Sequence, residues 1–540
     1  MSNITESRFF ISARQNVTGM EVLPVAENVN PEGQEPENNV PDEHDATGMN
    51  LFGRRKIFTA VDEVTAENVV EILRNALTDH LANLQEEEYL YWYRRGVQPI
   101  LFRKKEVRPE ICNKIVVNNA DMVVTFKDGY FLTKPVSYVS RINDEQIGEK
   151  VRQLNEYLYA SGKHHADNDV VDSFHTTGLG VIYVQPNRDE RKRKPVSVYS
   201  LDPRCAFCIY SLRPGQKPVV GVNMVVSGHD VLFDVYSDSQ IFHLTGGYNA
   251  SLVGDGMKFS ISGTALDLVS VESNRIGMIP IIEYQYNRNR MSAYESAIPL
   301  MDAINTVESN RTDGVEQAIQ QLCIAYNCQF EEGTTANTIR QAGMICLKSM
   351  GDNKADFKIL ESELNQADTQ TIIDSLYEQM LEKCGVPSSV RDGGSTSDNV
   401  GAVYLRSGWA TADTDARNTE DCFKESNARF TEVFLKILRD KGLLEGLEPE
   451  DFELCFVRND QTNMLAKSQT AINLKQLGLS PELVLERSGL SSDPVNDVEL
   501  SRKYIDMMWT AQPVGKQVGG TEKVYKDGTG GVKSMGGGNE

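Results

Sequence analysis

The order of the second half of the chain constrains its fold most. Two helical stretches enclose a short β-like unit, and a polar loop and one very long helix follow. The first stretch, 291–320, sets Ala297, Leu300, Ile304, Val307, Val315, Ala318 and Ile319 along roughly one seam, with Pro299 at its start or at a kink. From Leu300 to Gln320 such a helix extends about 32 Å. The segments CIAYNCQF (323–330) and GMICLKSM (343–350) then flank a polar insert. The second stretch carries Leu364, Ile372, Ile373, Leu376, Tyr377, Met380 and Leu381 before Gly385 and Pro387 stop it. The loop SSVRDGGSTSDNVGA covers 388–402, and the helix from Val403 to Lys441, closed by Gly442, reaches about 58 Å. This plan is unusual for an enzyme and natural for a subunit that stacks beside copies of itself.

The rest frames that core. Residues 1–50 are rich in Pro, Asn and acid, and from Gln512 onward the chain is Gly-rich, so both ends read as disordered. A helix starts near Thr65, runs through Val69, Leu73, Leu77, Leu81 and Leu84, and ends at Arg94, Arg95 and Gly96. A second helix is expected from Ile111 through Ile115, Val116, Ala120 and Val123. Residues 130–286 read mostly as strands, among them 181–184, 195–200, 219–226, 229–237 and 279–286. Three short helices close the fold over 462–510, with Ser480-Pro481 and Asp493-Pro494 as start signals. The class is α+β, mainly helical.

Charge and motifs narrow the function. Acidic residues outnumber basic ones 77 to 55, a net charge of −22, which counts against a DNA-wrapping surface. No apolar run is long enough to span a membrane, and no secretory signal is expected. Nine dispersed cysteines read as reduced thiols. No phosphate-binding G-x-x-x-x-G-K-[ST] run, nucleophile elbow or H-E-x-x-H helix occurs. Cys205 and Cys208 lack a second ligand pair and read as thiols in or beside a strand. His164, His165, Asp167 and Asp169 read as a polar helix start rather than a metal site. RDERKRK (188–194) reads as a solvated hairpin tip. Tyr89, Tyr91, Trp92 and Tyr93 stand among Arg94, Arg95, Arg103, Lys104 and Lys105. Such a mix can stack bases, but at helical spacing it reads better as core or subunit interface. No catalytic residue, cofactor or metal is assigned.

Two ordered motifs carry a resemblance. YLYWYRRGVQPILFRKKEVRPEICNKIVVNNADMVVTFKDGYFLTKPVSY is similar to the N-terminal signature of tailed-bacteriophage portal proteins, the head–tail connectors of long-tailed phages. Thr133-Lys134 stands where that family commonly has Gly. IGMIPIIEYQYNRNRMSAYESAIPLMDAINTVESNRTDGVEQ resembles a second family stretch. Met301, Asp302, Ala303, Ile304, Asn305, Ser309, Asp313 and Glu316 occupy its positions, and Pro299 departs from it.

The resemblance implies a dodecameric ring at one capsid vertex, assembled in the host bacterial cytoplasm. It would be a passive channel for packaging and ejecting viral double-stranded DNA. Its partners would be terminase, a head-completion adaptor, and capsid and scaffold proteins. It also implies a layout of wing, stem, clip and crown. The disordered arm would be 1–55, the wing 56–286, the stem helices 287–320 and 362–386, and the clip 321–361. The tunnel loop would be 387–402, the long helix and return to the wing 403–458, the crown 459–511, and the tail 512–540. Asp392, Gly393, Gly394, Ser395, Thr396, Ser397, Asp398 and Asn399 would touch DNA from the tunnel loop, although those residues alone suit a plain linker equally well. Glu308, Arg311, Asp313 and Glu316 would face the channel or simply solvent. Another virion structural protein is the alternative, ahead of a DNA-packaging enzyme.

Overall fold

The computed structural model describes residues 53–502 except 107, 143, 188–193, 228–229, 254–255, 262–265, 320–321, 327, 330–347, 350–355, 361–365, 389–407, 457–463, 492–493 and 495–496. The chain divides into two compact units, 1–461 and 462–540.

The first unit is built on two sheets. A seven-stranded sheet runs β1 (Ile57–Thr59), β5 (Ala206–Ser211), β6 (Pro218–Ser227), β7 (Asp230–Tyr236), β8 (Gln240–Val253) and β10 (Asp267–Ser273), with β9 (Gly256–Ile261) paired to the far half of β8. Only the β1–β5 pair is parallel. Helix α1 (Val69–Arg94) lays Val69, Ile72, Leu73, Ala76 and Leu77 across this sheet, against Phe207, Val222, Phe233 and Phe242. The α1 start differs from expectation. Thr65 does not cap the helix. Its carbonyl receives the Asn68 and Val69 amides, and Asn68 Oδ1 receives the Thr65 amide.

The second sheet orders β11 (Ile281–Gln285), β3 (Leu179–Pro186) and β4 (Val196–Leu201). The β3–β4 pair is antiparallel, as a hairpin requires, while 188–193, most of the expected hairpin tip, lie outside the described residues. The two sheets close on each other through Val181, Ala206, Cys208, Ile279 and Ile281. Gly221 permits that approach, because a Cβ there would lie 2.8 Å from Ile281 Cβ.

Helices cover the second sheet. α2 (Asn119–Phe131), α3 (Glu145–Ser161), α4 (Lys163–Thr177), α5 (Ile298–Ile319), α6 (Gln366–Cys384) and α7 (Trp409–Asp440) share one core with the second sheet. Tyr284, Phe423, Phe430 and Phe434 are fully buried there. Pro299 occupies the first turn of α5, where its missing N–H costs nothing. Glycines at positive φ follow several helix ends: Gly96 (+88°), Gly385 (+66°) and Gly442 (+69°). Between α5 and α6, β12 (Leu322–Tyr326) pairs with β15 (Asp356–Leu360), and β13 (Cys328–Gln329) with β14 (Lys348–Ser349). β16 (Phe452–Cys455) returns after α7 to pair with β2 (Ser137–Ser140).

Two expectations are corrected. Residues 145–177 are not strand but the helices α3 and α4, joined at Gly162 with φ +88°. Asp144 caps α3 by accepting from the Gln146 amide, and Val151, Leu154 and Leu158 bury its inner stripe. Residues 111–118 are not helix but an extended strap, and α2 begins only at Asn119.

The entry to β1 is locked. Gly53 has φ +101°, and a Cβ there would lie 1.7 Å from the Asn289 carbonyl oxygen. Arg54 is buried between Glu295 (2.6 Å) and Glu86 (3.2 Å), and Asn83 bonds both the amide and the carbonyl of Arg55. Burial, opposed by Arg54 and Arg55, pushes the Glu86 carboxyl up to about 7. The folded chain therefore keeps a proton between pH 4.5 and 7 that the unfolded chain has lost, and this site's contribution to stability falls as pH rises through that window. An E86Q variant should gain on the wild type by about 1–2 kcal/mol between pH 5.5 and 8, read from urea midpoints. A constant difference would refute the assignment.

The second unit contains α8 (Met464–Gln476) and α9 (Pro481–Ser488). Ser480 caps α9 by accepting from the Leu483 amide, Pro481 opens the helix, and Gly489 (φ +64°) closes it. Asp493 lies outside the described residues.

Candidate functional site

The helix pair α5 and α6, with the loop base beyond it, gathers the sequence-selected residues. Ile298, Met301 and Ile304 share a core with Met380, Leu381 and Cys384, so the two helices pack on an apolar seam. Arg311 Nη1 donates to Gln370 Oε1 at 2.8 Å across the pair.

Beside that seam α5 carries a polar stripe at every fourth residue. Asn305, Ser309 and Asp313 are almost completely buried. Asn305 Oδ1 accepts from the Val117 amide at 2.8 Å, Ser309 Oγ from the Ile115 amide at 3.0 Å, and Asp313 Oδ1 from the Asn113 amide at 2.7 Å. Helix number rises as strap number falls, so the two run antiparallel. Four residues of helix rise about 6.0 Å and two of extended chain about 6.6 Å, so one acceptor meets every second amide. The β-branched run Ile115-Val116-Val117 favours that extended form. The strap thus makes a ladder with side chains where a strand would use a neighbouring backbone.

Asp313 is the hub. Its Oδ2 accepts from Lys105 Nζ at 3.0 Å and lies 3.4 Å from Arg103 Nη2, and its Oδ1 also receives Asn113 Nδ2 at 3.0 Å. Burial opposes its ionisation, but the Asn113 amide and the Lys105 ammonium together hold the carboxyl below the usual range. The upper end is closed by Gln98. Asn305 Nδ2 donates to Gln98 Oε1 at 2.5 Å, and Gln98 Nε2 donates to Tyr93 O and Asn118 Oδ1.

The expectation that Asp313 faces a channel or solvent is therefore corrected, since its oxygens serve the strap. Glu316 accepts from Asn113 Nδ2 at 3.0 Å. Glu308 and Arg311 lie 3.9 Å apart on the partly exposed side of α5. The four residues come from one helix but not from one face.

The aromatic and basic segment is mostly structural. Leu90 and Tyr93 are fully buried, and Tyr93 stacks near Tyr294 and donates to Asp302 Oδ1 at 2.9 Å. Arg94 pairs with Asp172 at 2.7 Å and Asp121 at 3.2 Å. Arg95 and Arg204 each sit 4.0 Å from the Tyr91 ring centre. In the His-rich segment Asp167 turns inward to bond Lys163, whose ammonium lies 4.5 Å from the Phe430 ring centre, while His164 stacks on Tyr159. The His164 and His165 rings lie 3.9 Å apart, centre to centre.

Asp392, Gly393, Gly394, Ser395, Thr396, Ser397, Asp398 and Asn399 lie outside the described residues. Both flanks of that loop are described, and they meet: a Cβ on Gly408 would sit 3.7 Å from Pro387 Cα. Gly408, at φ +87°, precedes α7, which starts at Trp409 rather than at Val403. The base is pinned on the α7 side. Trp409 packs near Phe126 and Tyr130, and Asp415 bonds Lys127 (2.5 Å) and the Tyr286 hydroxyl (2.8 Å). The Gly408-Trp409 pair, a large aromatic directly after a glycine, is the signal in the sequence for that anchor.

A family model described as phage portal protein, SPP1 Gp6-like, matches residues 73–507, from within α1 into the second unit. No curated protein matches the chain.

Proposed function

Because the chain belongs to the phage portal proteins of the SPP1 Gp6-like family, a virion component, we propose that its copies close into a dodecameric ring at one capsid vertex and pass DNA through the bore. The observation that carries this reading is the match over 73–507, which spans the α5, strand-pair, α6, loop and α7 order. In this reading 56–286 form the wing, α5 and α6 the stem, 321–361 the clip, 387–402 the tunnel loop and 459–511 the crown. Most of the proposed clip lies outside the described residues.

The ring works without catalysis. Duplex DNA carries one negative charge per about 1.7 Å, and a bore lined by Lys and Arg would hold it at each phosphate. Subunits of net charge −22 are not adhesive overall, and screening over about 8 Å keeps the repulsion short-ranged. Glu308 and Arg311, paired on the partly exposed side of α5, are the stem residues offered to the bore. Arg311 tempers the acidic field there. The strap anchored at Asp313 sets the rotation of α5 and hence which residues those are. Terminase and then a head-completion adaptor dock on the clip, and scaffold and capsid contact the wing.

Single-particle images of the purified chain test this. Annular particles with twelvefold averages and an open centre are the expected result. Closed cages would identify a shell protein instead, and ATP turnover by the pure chain would favour a packaging enzyme.

A further inference from the structure

Among the described residues the seven-stranded sheet ends in two open edges. Among the described residues β1 pairs only with β5, and β10 only with β8 and on one side. An edge strand offers unpaired amides and carbonyls to any second chain, and water-soluble proteins usually blunt it with charge. Here both edges also expose apolar side chains. Phe58 and Val61 lie at or just beyond β1, and Leu212, whose amide bonds Thr59 O, is 64 % exposed. On the other side Val269 is 65 % exposed on β10, and Val271 on the same strand is exposed as well.

The two edges differ in sign. Arg55, Lys56, Arg213 and Lys217 gather around β1, and the nearby Asp62 is taken up by Arg213. Asp267 and Glu272 are exposed on β10. Glu63 on the first side and Arg275 on the second run against this pattern, and Arg55 and Lys56 also feel the carboxylates of Glu86 and Glu425. A twofold dimer through either edge sets like charge against like. A head-to-tail contact sets basic against acidic and apolar against apolar, and repeated contacts of that kind give a ring when their rotation closes and an open filament when it does not.

We propose that the β10 edge of one copy docks on the β1 edge of a second copy, as a repeated head-to-tail joint. The joint rests on the ring reading above, and it names the surfaces that would make the ring.

Charge exchange tests it on the full chain. One variant carries Arg55→Glu with Arg213→Glu, the other Asp267→Lys with Glu272→Lys. Circular dichroism and thermal midpoint confirm that each still folds. Each alone should assemble into rings about tenfold less than the wild type at moderate salt. Mixed in equal amounts they should recover, because every joint in an alternating ring is again basic against acidic. Unchanged ring yield in either folded variant, or a mixture that stays unassembled, would overturn the joint. A wild type that forms no rings would overturn the ring reading itself, and it would do so before any substitution is compared.

Discussion

Asp313→Ala should lower the stability of the folded chain by about 3 kcal/mol. The carboxylate compensates Lys105 and Arg103 and satisfies the Asn113 amide. Breaking a buried ion pair from one side costs about 3–5 kcal/mol, less where, as here, the cations keep some contact with water. A buried amide left without an acceptor adds about 1–3 kcal/mol to that side of the balance. The loss should be local before it is global. Hydrogen exchange should accelerate at the Asn113, Ile115 and Val117 amides, while the sheet around Phe233 keeps its protection. Glu308→Ala, on the partly exposed side of the same helix, should cost under about 0.5 kcal/mol. Equal effects from the two substitutions would mean that the strap is not what holds α5.

Gly178→Ala should be more severe and leave little soluble protein. Gly178 joins α4 to β3 at φ +93°, and a Cβ there would lie 2.1 Å from the Arg290 carbonyl oxygen and 2.7 Å from its carbon. Backbone on both sides prevents escape. The Gly178 carbonyl accepts from the Tyr286 amide, and His175 O accepts from the Ala293 amide. Left-handed backbone alone costs about 1–2 kcal/mol in an L residue, and the clash brings the total above about 4 kcal/mol, within the range that unfolds marginal domains. Gly215 separates the two terms. It has the same φ of +93° with nothing within 4 Å, so Gly215→Ala should cost only the backbone part, about 1–2 kcal/mol. Soluble yield and denaturation midpoint of the two variants provide the check, and a well-folded Gly178→Ala would refute the close approach.

What was legible in the sequence was what is local. Gly96, Gly385 and Gly442 ended helices, and Ser480-Pro481 began one, because a cap needs only a few neighbouring residues. The strands at 181–184 and 279–286 were visible as β-branched and aromatic runs. Helix α3 was missed although Val151, Leu154 and Leu158 carry its period, because Gly148 and a polar outer face diluted the stripe. The strap is hidden for a different reason. Ile111, Ile115 and Val116 fit a helical period by coincidence, and what decides their conformation lies about 200 residues away on α5. Asn305, Ser309 and Asp313 were selected, but polar side chains at spacing four read as a solvated face. Only the apolar, β-branched segment they serve makes them an inner one.

Reconstruction of DNA-filled particles without imposed shell symmetry tests the proposed ring and its DNA-carrying bore together. One annulus is expected at a single vertex, with duplex density along its axis and the α5–α6 pair beside it. The same chain distributed over every vertex, or an annulus plugged by protein with no DNA on its axis, would contradict it.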